Sequence, residues 1–194
     1  MTVPRSSRTR KTTEHRREDD RRLRHLLADN YFGICDRGFE PVTWSNVPAK
    51  LAMAMTELRE AEGAAHGSIT SVNDREKWTR EVLDCVLRVS GVLTALKGEE
   101  WCVRSALRGG TRVDLQPIEV TLWRMLAPMC DAVQAWRAGQ EVGSERVIYC
   151  LEMVVAEGLD IYREATCSSA YNALVQIVEA NRQRPWLHNH VESL

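Results

Sequence analysis

The chain has 194 residues, with 26 Lys and Arg against 27 Asp and Glu and a formal net charge of −1. That length suits one domain, or two small ones, with a real apolar core, and so even a balance argues against a polyanion-binding field over the whole protein. Only 11 Gly and 6 Pro, with aromatics at 6%, favour helices over a turn-rich β fold.

No apolar run approaches the roughly 20 residues a membrane helix needs, and the N-terminus carries no apolar leader, so a cytoplasmic protein with no membrane partner is expected. The six cysteines (Cys35, Cys85, Cys102, Cys130, Cys150, Cys167) form no C-x-x-C pair, which fits reduced thiols better than a disulfide frame or a zinc site.

In chain order, residues 1–25 stand apart. They hold nine Arg and Lys against four acids, a net of +5, so residues 26–194 carry −6. The first fifteen residues have almost no apolar side chains and are expected to be disordered, with a helix starting near Glu18 and running into Leu23, Leu26 and Leu27. Such an arm reads either as a nucleic-acid contact or as a solvated tail. Residues 26–194 read as one helical domain.

Within it, the spacing of Leu51, Met55 and Leu58 predicts a helix over Val47–Ala65, with Pro48 in its first turn and His66-Gly67 beyond its end. A second helix starts at Asn73, with Asp74 and Glu76 in its first turn, and runs to about Leu96. A short helix is expected over Glu99–Leu107. Pro117 opens another to about Arg137, with Pro128 inside it as an expected kink. Ser144 is the expected cap of the next, which should end between Ile161 and Glu164, and a last helix covers about Ser168–Asn181. No segment alternates with period two, so the expected fold is an all-α, antiparallel helical bundle.

The most informative residues are acids. Glu57-x-x-Glu60 puts two carboxylates on one helix face, and Glu81-x-x-Asp84 repeats this on the next helix. The 20 residues between Glu60 and Glu81 suffice to end one helix and begin an antiparallel partner, so the pairs can face each other. Like charges about 6 Å apart would cost roughly 3 kcal/mol per pair at an effective dielectric near 20. Divalent cations would relieve that cost, and oxygen-only ligands select Mg²⁺ or Mn²⁺. On spacing alone, the same four residues are also what solvated faces of two amphipathic helices provide.

Three blocks, in order, resemble the MazG-type nucleoside triphosphate pyrophosphohydrolases. They are Arg37-Gly38-Phe39 with Val47-Pro48-Ala49-Lys50-Leu51 and Glu57-Leu58-Arg59-Glu60-Ala61; Glu81-Val82-Leu83-Asp84-Cys85; and Asn181-Arg182-Gln183-Arg184-Pro185-Trp186-Leu187-His188. The last is similar to the N-x-x-R-P-x-x-H tail of many members, often phage-encoded. The blocks lie within residues 37–88 and 181–188, about 60 residues of the sequence. The chain departs from the pattern where Ile177 replaces a Lys common in the family and where Asn189 replaces the Gly that usually follows the tail His.

The resemblance implies an all-α pyrophosphohydrolase that converts a nucleoside triphosphate, ribo or deoxy, to the monophosphate and pyrophosphate, in nucleotide-pool control or house-cleaning. It implies catalytic and Mg²⁺-binding roles (with Mn²⁺ as the alternative) for Glu57, Glu60, Glu81 and Asp84, and a homodimer. Lys50, Lys77, Arg88 and Arg184 are the candidate phosphate ligands, and Trp44, then Trp78, the candidates to stack a base. Asn181 is a candidate for a base edge or a sugar hydroxyl.

The extra length reads either as a worn second copy, with halves 37–110 and 115–190, or as a second amphipathic hairpin that aligns with the first by chance. Laying Leu122–Ala132 over Leu51–Ala61, and Arg146–Cys150 over Glu81–Cys85, replaces the four acids by Pro128, Asp131, Arg146 and Tyr149. A degenerate half beside an active one resembles the dimeric dUTPases. The rival function is a non-catalytic helical protein whose residues 1–25 contact nucleic acid, with salt-sensitive binding.

Overall fold

The computed structural model describes residues 7–65, 72–101 and 118–183, with side chains over 20–65, 75–101 and 118–183. Among the described residues there is no strand. The elements are α1 (Ser7–Asp36), a 3-10 turn (Trp44–Asn46), α2 (Val47–Ala65), α3 (Val72–Lys97), α4 (Ile118–Arg137), α5 (Gln140–Thr166) and α6 (Ala170–Gln183). The fold is an all-α helical bundle.

Two helical hairpins, α2–α3 and α4–α5, form its centre, with α3 packed on α5 and α2 on α4. Helix α1 lies along α3, and α6 closes against α1, α3 and α5. The seam follows from helical periodicity. Val82, Val86, Val89 and Leu93 of α3 are buried, as are Val147, Leu151, Val154 and Ile161 of α5. Burying each such side chain contributes on the order of 2 kcal/mol. The suggested correspondence of the hairpins pairs buried residues with buried residues: Leu51 with Leu122, Leu58 with Met129, Ala61 with Ala132, Val82 with Val147 and Cys85 with Cys150.

Helix α2 has the predicted bounds, α3 extends one residue further than expected at each end, α4 starts one residue later, and α6 is shifted two residues along the chain, to Ala170–Gln183 from the expected Ser168–Asn181. The start of α1 and both ends of α5 also differ. Helix α1 begins at Ser7, within the stretch expected to be disordered and well before Glu18. No Pro or Gly lies between Ser7 and Tyr31, and its Arg, Lys and Glu residues are good helix formers.

Helix α5 begins at Gln140, not beside Ser144, because Gly139 takes φ 88° and reverses the chain after Ala138. It continues past Glu164 to Thr166, where Cys167 adopts a left-handed conformation and donates its N–H to the Arg163 carbonyl at 2.8 Å. Pro128 lies inside a continuous α4. Residues 99–101 are not helical, and the remainder of the short helix expected there lies outside the described residues.

Cys35, Cys85, Cys130, Cys150 and Cys167 are free thiols. Among the described residues no helix is long and apolar enough to cross a membrane.

Candidate active site

Helical periodicity carries Glu57 inward. It shares the buried stripe of α2 with Leu51, Ala54, Leu58 and Ala61, and is only 7% exposed. On α3, Glu81 and Asp84 flank the buried Val82 and Cys85 and are themselves half-buried. The hairpin thus brings three carboxylates from two helices together: one oxygen from each of Glu57, Glu81 and Asp84 lies within 4.8 Å of the others. Glu60 is exposed, lines the same cavity and stands outside that trio.

The electrostatics follow from this crowding. Burial first, then the charges of Asp84, Glu57 and Glu60, push Glu81 above the ordinary carboxylate range. Burial and the neighbouring Glu57 also hold the Cys85 thiol far above its usual range, so this sulfur stays protonated behind the acids. Arg88, one turn after Asp84, donates through Nε to Oε1 of Glu57. The trio offers only oxygen donors, which fits a hard divalent ion such as Mg²⁺ or Mn²⁺.

The acids border a cavity of about 910 Å³, enough for a nucleotide-sized ligand. Lys50, Lys77 and Arg88, all singled out in the sequence, line it, and so does Asn181 from the end of α6. Lys50 is held there by Glu40, with Nζ 3.2 Å from Oε2. Arg184 lies outside the described residues.

The two tryptophans do not take the base-stacking positions for which they were candidates. Trp44 packs against the core, and its carbonyl accepts a hydrogen bond from Trp136 Nε1 at 2.8 Å. Trp78 is 6% exposed within the α3 seam. Neither lines the cavity. Their positions follow from the bundle: the turn before α2 abuts α4, and Trp78 falls on the buried stripe of α3.

Aromatic surface at the cavity comes instead from Tyr31 of α1 and Phe39 of the following loop. The Tyr31 hydroxyl accepts the Val42 N–H at 3.1 Å, tying that loop to α1.

Three lining residues were missed by sequence reading. Arg80 stands four before Asp84, and the i, i+4, i+8 spacing of Arg80, Asp84 and Arg88 is the signal that would have found it. Arg37 donates from Nε to the Gly33 carbonyl at 2.8 Å and from Nη1 to the Asn181 carbonyl at 3.0 Å, joining the end of α1 to the end of α6. Asn30 is 4% exposed, and its Oδ1 meets no hydrogen-bond partner. An unpaired buried acceptor costs about 1–3 kcal/mol. No pattern in the sequence marks Asn30, because its environment is created by α1 lying on α3.

Comparisons with protein-family models, with curated proteins and with solved structures find no match to this chain.

Proposed function

We propose that the chain is a Mg²⁺-dependent nucleoside triphosphate pyrophosphohydrolase, acting in nucleotide-pool control or house-cleaning. The observation that supports this most is the convergence of Glu57, Glu81 and Asp84 on the wall of a nucleotide-sized cavity. The order Glu57-x-x-Glu60 then Glu81-x-x-Asp84, with its resemblance to the MazG-type enzymes, supplies the reaction.

Glu57, Glu81 and Asp84 would hold the ion, with Glu60 beside them. When bound, Mg²⁺ supplies charge neutralisation at the phosphate oxygens. A carboxylate with an oxygen left over orients a water and takes its proton as the water oxygen bonds to the α-phosphorus. The bond from that phosphorus to the bridging oxygen breaks, and pyrophosphate leaves with the electron pair. Lys77, Arg80 and Arg88 line the cavity and would meet the triphosphate. The second hairpin carries Pro128, Asp131, Arg146 and Tyr149 where the first has its acids, so it acts as a buttress in this reading. A homodimer is part of the same proposal.

The nucleic-acid reading has no need for converging carboxylates, and the geometry favours the enzyme over it. The test is turnover of a panel of dNTPs and NTPs with and without Mg²⁺, in wild type and in Glu81→Ala and Asp84→Ala. Metal-dependent turnover that both substitutions abolish is expected. Turnover that survives both would overturn the assignment.

A further inference from the structure

We propose that the cavity between α3, the end of α5 and α6 is a second binding site, for a phosphomonoester, with Arg75 and Arg80 as its anion ligands. Occupancy there weakens binding of the triphosphate in the first cavity. That regulatory consequence rests on the nucleotide reading given above; the site itself does not.

This cavity measures about 660 Å³, within the range of small-molecule sites. Arg75 and Arg80 line it against a single acid, Glu76. The first cavity, by contrast, is lined by as many acids as cations. Helical geometry sets the two guanidinium groups apart. Five residues of helix turn through about 500°, so Arg75 and Arg80 leave α3 about 140° apart, at the two edges of the face that lines the cavity. Between them lie Thr79 and Leu83, both buried. From α6 comes the buried Ile177, and the small Ala173 and Ala180, one turn to either side of it, leave the space open.

Both arginines have donors to spare. Arg75 Nη1 donates to the Ala165 carbonyl at 3.5 Å, one contact for a group with five N–H donors. Arg80 has neither an ion pair nor a hydrogen bond among the described residues, although Glu76 stands four residues before it. A planar carboxylate is saturated by one guanidinium fork, whereas the three terminal oxygens of a phosphomonoester can be met from two sides. The apolar surface of Leu83 and Ile177 takes the organic part.

Arg80 also couples the sites. Among the described residues it is the only one that lines both cavities. One guanidinium cannot serve an anion fully in each, so the two ligands oppose one another, and linkage makes the effect reciprocal.

The test is calorimetric titration of the full chain in EDTA with glucose 6-phosphate and with dAMP, two sources of the same group, and with glucose as the control. Binding of at least one phosphomonoester and none of glucose is expected. Arg75 lines only the second cavity and Lys77 only the first, so they tell the sites apart. Arg75→Ala should weaken binding about tenfold or more, and Lys77→Ala should leave it within about twofold. In turnover assays the tighter phosphomonoester should raise the wild-type KM for dNTPs about fivefold at unchanged kcat, and should leave that of Arg75→Ala unmoved.

No binding of either phosphomonoester, or binding that Lys77→Ala weakens as much as Arg75→Ala does, would overturn the site. Binding that leaves the wild-type KM unmoved would overturn the coupling. Absence of Mg²⁺-dependent dNTP turnover in wild type would overturn the enzyme reading, and the coupling with it, while the site stands or falls on the calorimetry.

Discussion

Arg88 on α3 donates through Nε to Oε1 of Glu57 on α2, so the most buried acid of the cluster is neutralised across the hairpin by a half-exposed cation. Removing that cation leaves a buried carboxylate beside Glu81 and Asp84 with less compensation. Arg88→Ala should therefore lose about 2 kcal/mol of stability in chelator. Mg²⁺ should raise its melting temperature more than it raises that of wild type. Urea unfolding with EDTA and with Mg²⁺ checks both, and a variant as stable as wild type in EDTA contradicts the account.

The raised Glu81 carboxyl gives a pH signature in metal-free protein. The folded state holds this proton more tightly than the unfolded chain, whose value is 4.5. Between the unfolded value and the raised folded value the native state binds more protons, so stability falls as pH rises through that window. Above it the full penalty for the charged form is present. Glu81→Gln removes the penalty, so it should melt higher than wild type at pH 7 in EDTA, with the gap closing below about pH 4. Melting curves across pH would show this, and a gap that widens toward acid would contradict it.

Arg37 is the clasp between the ends of α1 and α6. Arg37→Ala loses two hydrogen bonds from a charged donor and should cost about 1–3 kcal/mol. Hydrogen exchange should accelerate chiefly in the last turn of α6, next to Asn181. Uniform acceleration over the bundle would instead assign Arg37 a global role.

The turn between α4 and α5 depends on close backbone approach. A Cβ on Gly143 would lie 2.0 Å from the Ala135 carbonyl oxygen, and backbone cannot swing aside as a side-chain tip can. Gly143→Ala should destabilise by about 2–4 kcal/mol. At Gly63 in α2 nothing lies within 4 Å, so Gly63→Ala should stabilise by about 0.5–1 kcal/mol. Equal effects at the two sites in thermal unfolding would contradict the packing described.

How far the sequence is legible depends on the range of the force at work. Helix α2 could be delimited from Pro48 and its apolar spacing because both act within a few residues. Glu81 and Asp84 were visible for the same reason, since i, i+3 spacing fixes a shared face of one helix; that Glu57 and not Glu60 completes the trio depends on how α2 packs on α3. The start of α5 was misplaced because Ser144 is a better local cap than Gly139, yet the tight return from α4 selects the residue that tolerates φ 88°. Trp44 looked available for stacking until the fold packed its side chain against the core. Asn30 was silent, and the clasp of Arg37 onto Asn181 could not be read from its block, because their surroundings come from helices distant in sequence.

The most direct measurement of the central claim is product identification by ³¹P NMR after incubating the purified chain with dNTPs and Mg²⁺ in H₂¹⁸O. Wild type should give pyrophosphate and a nucleoside monophosphate, with ¹⁸O on the monophosphate, and Asp84→Ala neither. Release of inorganic phosphate and a diphosphate, or no metal-dependent product from any nucleotide, would contradict it.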